Sequence, residues 1–328
     1  MHLVSKRLLQ TFLSASCLLV SGLAAAQSYP AKPITLVVPF AAGGPTDIVA
    51  RTLAATMGKS LGQTVLVENK VGAGGTLAGG HVAKANPDGY TVLIHHNGMS
   101  TAPALYRKMA FNPLTDFEYI SQVVDVPMTL LGRKDLPAKN LQELSAYVKA
   151  NAKSINLANA GLGAVSHLCG MLFQQAMGVD LTTVPFSGTA PAMNALLGGQ
   201  VDLLCDQTTQ TTQHIKAGTV RMYGVTTKQR IRALPDALTL NESGLKDFEV
   251  IVWHGMYAPK GTPAAVIDKL NAAVRASLKD PAFTSRMAEL GAEIVPEAKQ
   301  SPDGLRSWLQ SEINKWGPVI RSAGVYAD

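Results

Sequence analysis

The sequence predicts an α/β protein of two lobes, each a mostly parallel sheet flanked by helices. Short apolar runs alternate with helical patterns along the chain, which implies parallel sheets joined by right-handed crossovers. A second stretch with its own strand–helix order begins after Val123–Met128. About 300 residues remain once the amino-terminal segment is set aside, enough for two separate cores. The expected division is 27–124 with 227–328 as a discontinuous first lobe and 125–226 as the second.

Residues 1–26 read as a signal peptide. Lys6 and Arg7 form a basic start, Leu8–Leu23 is apolar and broken only by small or polar residues, and Ala24-Ala25-Ala26 precede the cleavage point at Gln27. Cys17 raises a lipoprotein alternative, but Ser14-Ala15-Ser16 lacks the leucine expected before an acylated cysteine. The expectation is therefore a soluble protein exported to the periplasm. Of 29 basic and 23 acidic residues, Lys6 and Arg7 leave with the leader, so 27 against 23 gives a mature charge of +4. No basic run carries interleaved aromatics, which argues against a nucleic-acid partner. Cys169 and Cys205 survive processing; a disulfide and two buried thiols are both open, and neither has metal-site spacing.

Ile34–Val38 is an apolar run ending at Pro39 and reads as a buried strand. Thr46 or Asp47 can cap the helix that follows, whose Ile48, Val49, Leu53 and Met57 recur at helical spacing up to Gly58–Gly62. Val65–Val67 is the second strand, Thr76–Lys84 a glycine-loosened helix, and Tyr90–His95 the third strand after the turn Asn86-Pro87-Asp88-Gly89. In the second lobe, Leu141–Asn151, His167–Met177 and Pro191–Leu197 read as helices. Ile155–Ala158, Thr182–Pro185, Val201–Cys205 and Val220–Thr226 read as strands. The chain closes with strand Phe248–Ala258, helix Pro263–Leu278 and helix Pro302–Ser322, whose Trp308 and Trp316 are expected to anchor the core.

Two glycine-rich turns stand out as site candidates. One is Phe40-Ala41-Ala42-Gly43-Gly44, the other Val71-Gly72-Ala73-Gly74-Gly75, and each runs from a strand into a helix. In open α/β sheets ligands bind at such strand ends, and helix amino-termini favour anions. Asp47 fits a cap that fixes the first turn, and Asn69 a brace for the second. A dinucleotide site is excluded because Gly79 falls too late for GxGxxG after Gly72 and Gly74. His95 and His96 alternate in direction on a strand and cannot readily chelate one metal; one is open to line the cleft while the other packs or faces solvent, and Asn97 at the strand end is a candidate ligand contact. Ser166 either caps its helix or meets a ligand. Asp206-Gln207-Thr208 offers polar groups at a strand end, or is a polar loop. There is no GxSxG elbow, and His167 and Cys169 diverge on their helix, so catalysis finds little support.

Several motifs in order resemble the Bug-type extracytoplasmic solute receptors of tripartite tricarboxylate transporters. They are Tyr29-Pro30-Ala31-Lys32-Pro33-Ile34, Val38-Pro39-Phe40-Ala41-Ala42-Gly43-Gly44-Pro45-Thr46-Asp47 and Val67-Glu68-Asn69-Lys70-Val71-Gly72-Ala73-Gly74-Gly75. Pro87-Asp88-Gly89-Tyr90, Gly198-Gly199-Gln200-Val201-Asp202, Trp253-His254-Gly255 and Ala258-Pro259-Lys260-Gly261-Thr262-Pro263 continue the match. The resemblance implies a two-lobed periplasmic-binding-protein fold with a hinge, no cofactor, and action as a monomer beside a membrane permease. It also implies that backbone amides of Phe40–Gly44 and Val71–Gly75, with ordered water, pinch a ligand carboxylate. The loops at Ala164–Ser166 and Asp206–Thr208 would recognise the rest of the solute. One departure matters: many relatives carry Tyr-Lys-Gly or Tyr-Arg-Gly where this chain has Phe186-Ser187-Gly188, so a cation is missing opposite the clamp. The rival readings are an exported hydrolase or isomerase acting through Asp47, Ser166 or His167, and a receptor that signals to a sensor protein.

Overall fold

The computed structural model describes residues 29–322, 324, 326 and 327; the expected signal peptide lies outside them. The strands are β1 (Ile34–Val38), β2 (Val65–Asn69), β3 (Thr91–His96), β4 (Phe117–Arg133) and β5 (Asn156–Asn159). They continue as β6 (Thr182–Pro185), β7 (Leu203–Gln207), β8 (Val220–Val225), β9 (Ile251–Pro259) and β10 (Glu293–Ile294). Among the described residues ten α-helices accompany them: α1 (Pro45–Leu61), α2 (Thr76–Ala83), α3 (Gly98–Leu105), α4 (Leu141–Asn151) and α5 (Val165–Met177). The rest are α6 (Thr189–Leu197), α7 (Thr208–Lys216), α8 (Ala264–Ser277), α9 (Pro281–Glu289) and α10 (Pro302–Ser322).

The main sheet order is β2-β1-β3-β9-β4-β7-β5-β6, with β8 and β10 also pairing on β4. β2-β1-β3 and β6-β5-β7 are parallel trios, one in each half, and antiparallel pairs join them to β4 and β9. β4 belongs to both halves. Its residues from Phe117 to Pro127 pair with β9, and those from Met128 to Gly132 pair with β7. The missing N–H of Pro127 falls where the partner changes, so proline is tolerated within a long strand. The return crossing is stitched to the outgoing one. Thr226 N–H donates to Met128 O at 2.9 Å, and Met128 N–H donates to Thr226 Oγ1 at 3.0 Å.

Each half has its own apolar centre. Val37, Leu93, Phe117, Trp253, Tyr257 and Leu305 form one; Leu131, Ala158, Met193, Leu196 and Leu204 form the other. Trp316 packs on Leu105, Leu168 and Ile320, and Trp308 leans on the first centre with Lys299 Nζ 3.5 Å above its ring, as core anchors would. Ile231, Leu234 and Ala237 pack on Ile215, Met222 and Val225. Cys169 of α5 and Cys205 of β7 form a disulfide, which answers the question the sequence left open. Among the described residues no helix is long and apolar enough to cross a membrane.

Candidate functional site

The first glycine turn is built from local chemistry. Gly43 takes a φ of +77°, which only glycine adopts without strain, and Pro45 opens α1 at a position where its missing N–H is harmless. Gly44, not Thr46 or Asp47, is the amino-terminal cap. Asp47 lies in the first turn and reaches back, its Oδ2 accepting from Gly43 N–H at 2.9 Å and from Arg51 Nε at 2.8 Å. Its Oδ1 accepts from Asn69 Nδ2 at 2.9 Å, and the same amide donates to Phe40 O at 2.9 Å. Burial pushes the Asp47 carboxyl up, but the bonds from Arg51, Gly43 and Asn69 outweigh it and hold the pKa below the usual value. Asp47 is thus a brace tying the end of β2 to the first turn. Asp47→Ala should lower the unfolding free energy by about 2–3 kcal/mol. An unchanged urea midpoint would remove the brace from the account.

The second turn, Gly72–Gly75, packs against the second half of the molecule. A Cβ on Gly74 would lie 2.7 Å from Tyr106 Oη and closer still to Leu162 O. Gly75 has φ +98°, and a Cβ there would meet His95 Nε2 at 2.7 Å. The two halves touch through hydrogen bonds as well. Ala41 N–H donates to Ser187 O at 3.2 Å, Tyr106 Oη to Leu162 O at 2.9 Å, and Thr208 Oγ1 to Gly291 O at 3.2 Å.

Between the halves lies a small cavity of about 10 Å³, room for about one water. Phe40, Pro45, Thr46 and His96 line it from the first half, with Met128 from the crossing strand. Ala160, Ala164, Val165, Ser166, Thr189, Asp206 and Gln207 line it from the second. Pro45 and Thr46 are the first turn of α1, Val165 and Ser166 of α5, Thr189 of α6, and Gln207 caps α7. Four helix amino-termini therefore converge on one cavity. Each of these helix ends favours an anion, and no lysine or arginine lines the cavity.

Of the residues the sequence singled out, Phe40, Ala164, Ser166, Asp206 and Gln207 line this cavity. The others are placed elsewhere. Ala42 and Gly43 face a second cavity beside Ala190 and Gln210. The amides of Ala41, Gly43 and Gly44 are bonded to Ser187 O, Asp47 Oδ2 and Ala41 O respectively. Asn97 donates to Ile251 O and accepts from Trp253 N–H, both at 2.9 Å, so it holds β9 in place. Phe186 packs against the second apolar centre. Gly72, Ala73, Gly74 and Gly75 form a tight turn at the contact between the halves. Ser166 Oγ accepts from Ala160 N–H at 2.7 Å, and His167 Nδ1 accepts from Gly163 N–H at 3.2 Å. Asp47, Ser166 and His167, the residues of the rival enzyme reading, thus each hold a structural hydrogen bond.

The walls differ in electrical character. His96 stacks on Phe40 with ring centres 4.6 Å apart, and His254 shares a 3.1 Å bond with Thr46 Oγ1. Burial drives the pKa of His96 well below the usual value, that of His95 to about 4 and that of His254 to about 3. The first-half wall is therefore neutral. In the second-half wall Asp206 is wholly buried. Its Oδ1 accepts from Gln207 N–H at 2.7 Å, and burial raises its pKa to about 7. Among the described residues no group of three His, Cys, Asp or Glu is placed to hold a metal ion.

The sequence matches the family model described as "Tripartite tricarboxylate transporter family receptor" over residues 49–325. It is 50% identical over 300 residues to the UPF0065 protein in the TAR-I ttuE-ttuC' intergenic region of Agrobacterium vitis, covering 92% of this chain and 87% of that one. The periplasmic binding protein BugD superposes with a TM-score of 0.89 at 54% identity, covering 91% of this chain and 99% of BugD. MatC from Rhodopseudomonas palustris, solved with bound malate, superposes with a TM-score of 0.85 at 42% identity, covering 89% and 100%. These likenesses extend to the two-lobed α/β fold itself. The chain belongs to the tripartite tricarboxylate transporter receptor family, whose members are solute-binding proteins.

Proposed function

We propose that this protein is a periplasmic receptor that captures a small carboxylate between its lobes and presents it to the permease of a tripartite transporter. The observation that carries this reading is the convergence of four helix amino-termini from both halves on one cavity without a basic side chain. Such a site stabilises an anion by dipoles and amides when the halves are together; because it holds about one water here, its walls must move apart to admit a solute before they close on it. Ligand binding then shifts the population toward the closed form by its differential affinity. Phe40, Ala164, Ser166, Asp206 and Gln207 are the proposed ligand contacts, and the turn Gly72–Gly75 lets the lobes meet. The lobes are proposed to part at the paired crossings Met128 and Thr226–Val250, with residues 125–226 and the packed segment after them moving as the second lobe. We read the receptor as a monomer that leaves its solute chemically unchanged and has no nucleic-acid partner.

Titration calorimetry against a panel of mono- and dicarboxylates, paired with small-angle scattering, tests the reading. Saturable binding with a fall in radius of gyration is the expected outcome, with the acid recovered intact. If no acid binds and no compaction follows, the proposal is lost; if the bound acid is consumed, the protein is an enzyme.

A further inference from the structure

Asp206 sits badly with a solute that is acidic at both ends. Its side chain is wholly buried in the cavity wall, and Oδ2 has no partner at hydrogen-bonding geometry; the neighbouring Thr189 hydroxyl, the one side-chain donor beside the carboxylate, gives its proton to Gln210 Oε1 at 3.2 Å. Beside it, Gln207 Oε1 is also buried and unpartnered. A buried acceptor left unmet is costly, on the order of 1–3 kcal/mol and more for a charged group. An amide can turn over to present its NH₂; a carboxylate cannot, so the weight of the argument rests on Asp206. Phe186-Ser187-Gly188 brings no cation to this wall, and none of the cavity's lining residues is lysine or arginine. A second carboxylate on the solute would therefore face an acceptor with nothing to neutralise it.

We infer that the solute carries a hydrogen-bond donor, an ammonium or a hydroxyl, that meets Asp206 while its carboxylate takes the helix amino-termini. The inference rests on the carboxylate-receptor reading and narrows it to amino or hydroxy acids.

The surroundings leave Asp206 as the group that titrates near neutrality. α6, packed on β7, has no titratable residue. α5 brings His167, whose pKa burial lowers, and α7 brings His214 and Lys216 only in its last turn. In β4, Arg133 is paired with Asp135 and Asp202, and Asp125, beside Lys299, belongs to the stretch that pairs with β9. Across the cavity His96 is neutral, and on α1 Asp47 is bound to Arg51. Burial raises the pKa of Asp206 to about 7, so its charge changes between roughly pH 6 and 8. An ammonium needs the ionised form and should bind more tightly as pH rises. A plain diacid needs the protonated form and should bind more tightly as pH falls.

The test compares matched triads, succinate with malate and aspartate, and glutarate with 2-hydroxyglutarate and glutamate, by calorimetry at pH 5.5 and pH 8. In the triad that binds better, the amino or hydroxy member should exceed the plain diacid at least about tenfold at pH 8. An amino member should weaken by about thirtyfold at pH 5.5, the fall in the ionised fraction of a group with a pKa of about 7. Asp206→Asn should erase the preference and the pH trend while far-UV circular dichroism stays native; a merely structural role would weaken every acid alike. Equal binding of diacid and donor-bearing acid at pH 8, or tighter binding of the diacid than of both donor-bearing acids there, overturns the inference and leaves the receptor reading intact. Failure of all six acids overturns both.

Discussion

Gly74→Val is expected to weaken carboxylate binding by roughly ten- to hundredfold while leaving a folded protein. The reason is an atom count at the contact between lobes. A Cβ at this position would lie 2.7 Å from Tyr106 Oη and nearer still to the Leu162 carbonyl, and the carbonyl is backbone that cannot swing aside. Overpacking of this kind costs about 1–3 kcal/mol, and here the cost falls on the closed form because Leu162 belongs to the opposite half. Each 1.4 kcal/mol is a factor of ten in Kd. The variant also forces a β-branched residue to φ +59°, which destabilises the chain in any state. Gly62→Val separates the two effects, since Gly62 has a similar φ of +66° at the end of α1 and a Cβ there meets nothing within 4 Å. Both variants should lose stability, but only Gly74→Val should lose affinity and fail to compact in scattering with the ligand present. Wild-type affinity in Gly74→Val would remove that turn from closure.

How much of this was legible in the sequence depends on whether the determinant was local. The first glycine turn was, because Gly43, Pro45 and the reach of Asp47 act within a few residues. Even there, the helix began at Pro45 rather than after an Asp or Thr cap, since the proline's fixed φ and the extended Gly44 set the start. The cavity walls were half legible. Asp206 and Gln207 end an apolar run and invite attention; Thr189 does not, because the sequence pattern places the start of its helix at Pro191, two residues late. α7 was missed altogether. Its Thr208-Thr209-Gln210-Thr211-Thr212 is a poor helix by propensity, and tertiary bonds from Thr208 to Gly291 O and Thr212 to Leu290 O hold it. Met128 carries no local signal, and for His95-His96 the strand alternation alone does not say which ring faces the cleft. Met128 and His96 join the site because β4 changes partner beside Pro127 and because Phe40 stacks on His96. In Phe40–Gly44 a turn rich in N–H groups looks available in sequence, and three of those groups find protein acceptors in the fold.

Removing the disulfide should be the most damaging change to the second lobe. Cys169 and Cys205 are both fully buried and 36 residues apart, so the closed loop constrains the unfolded chain by about 3–4 kcal/mol on the chain-entropy estimate. Cys169→Ala with Cys205→Ala should therefore lower Tm by roughly 6–10 °C. An oxidised and a fully reduced wild type that melt together would contradict this. The position of the bond ties stability to recognition. Cys169 lies three residues after Ser166 on α5, one turn from the cavity, and Cys205 directly precedes Asp206 on β7. The bond thus holds the helix end that attracts an anion in register with the carboxylate that needs a donor. A solute with both groups at fixed spacing reads that register directly. The double variant should then lose affinity for the preferred acid more than for a simple monocarboxylate such as acetate, measured well below its Tm. Equal losses would mean that the disulfide supports the fold alone.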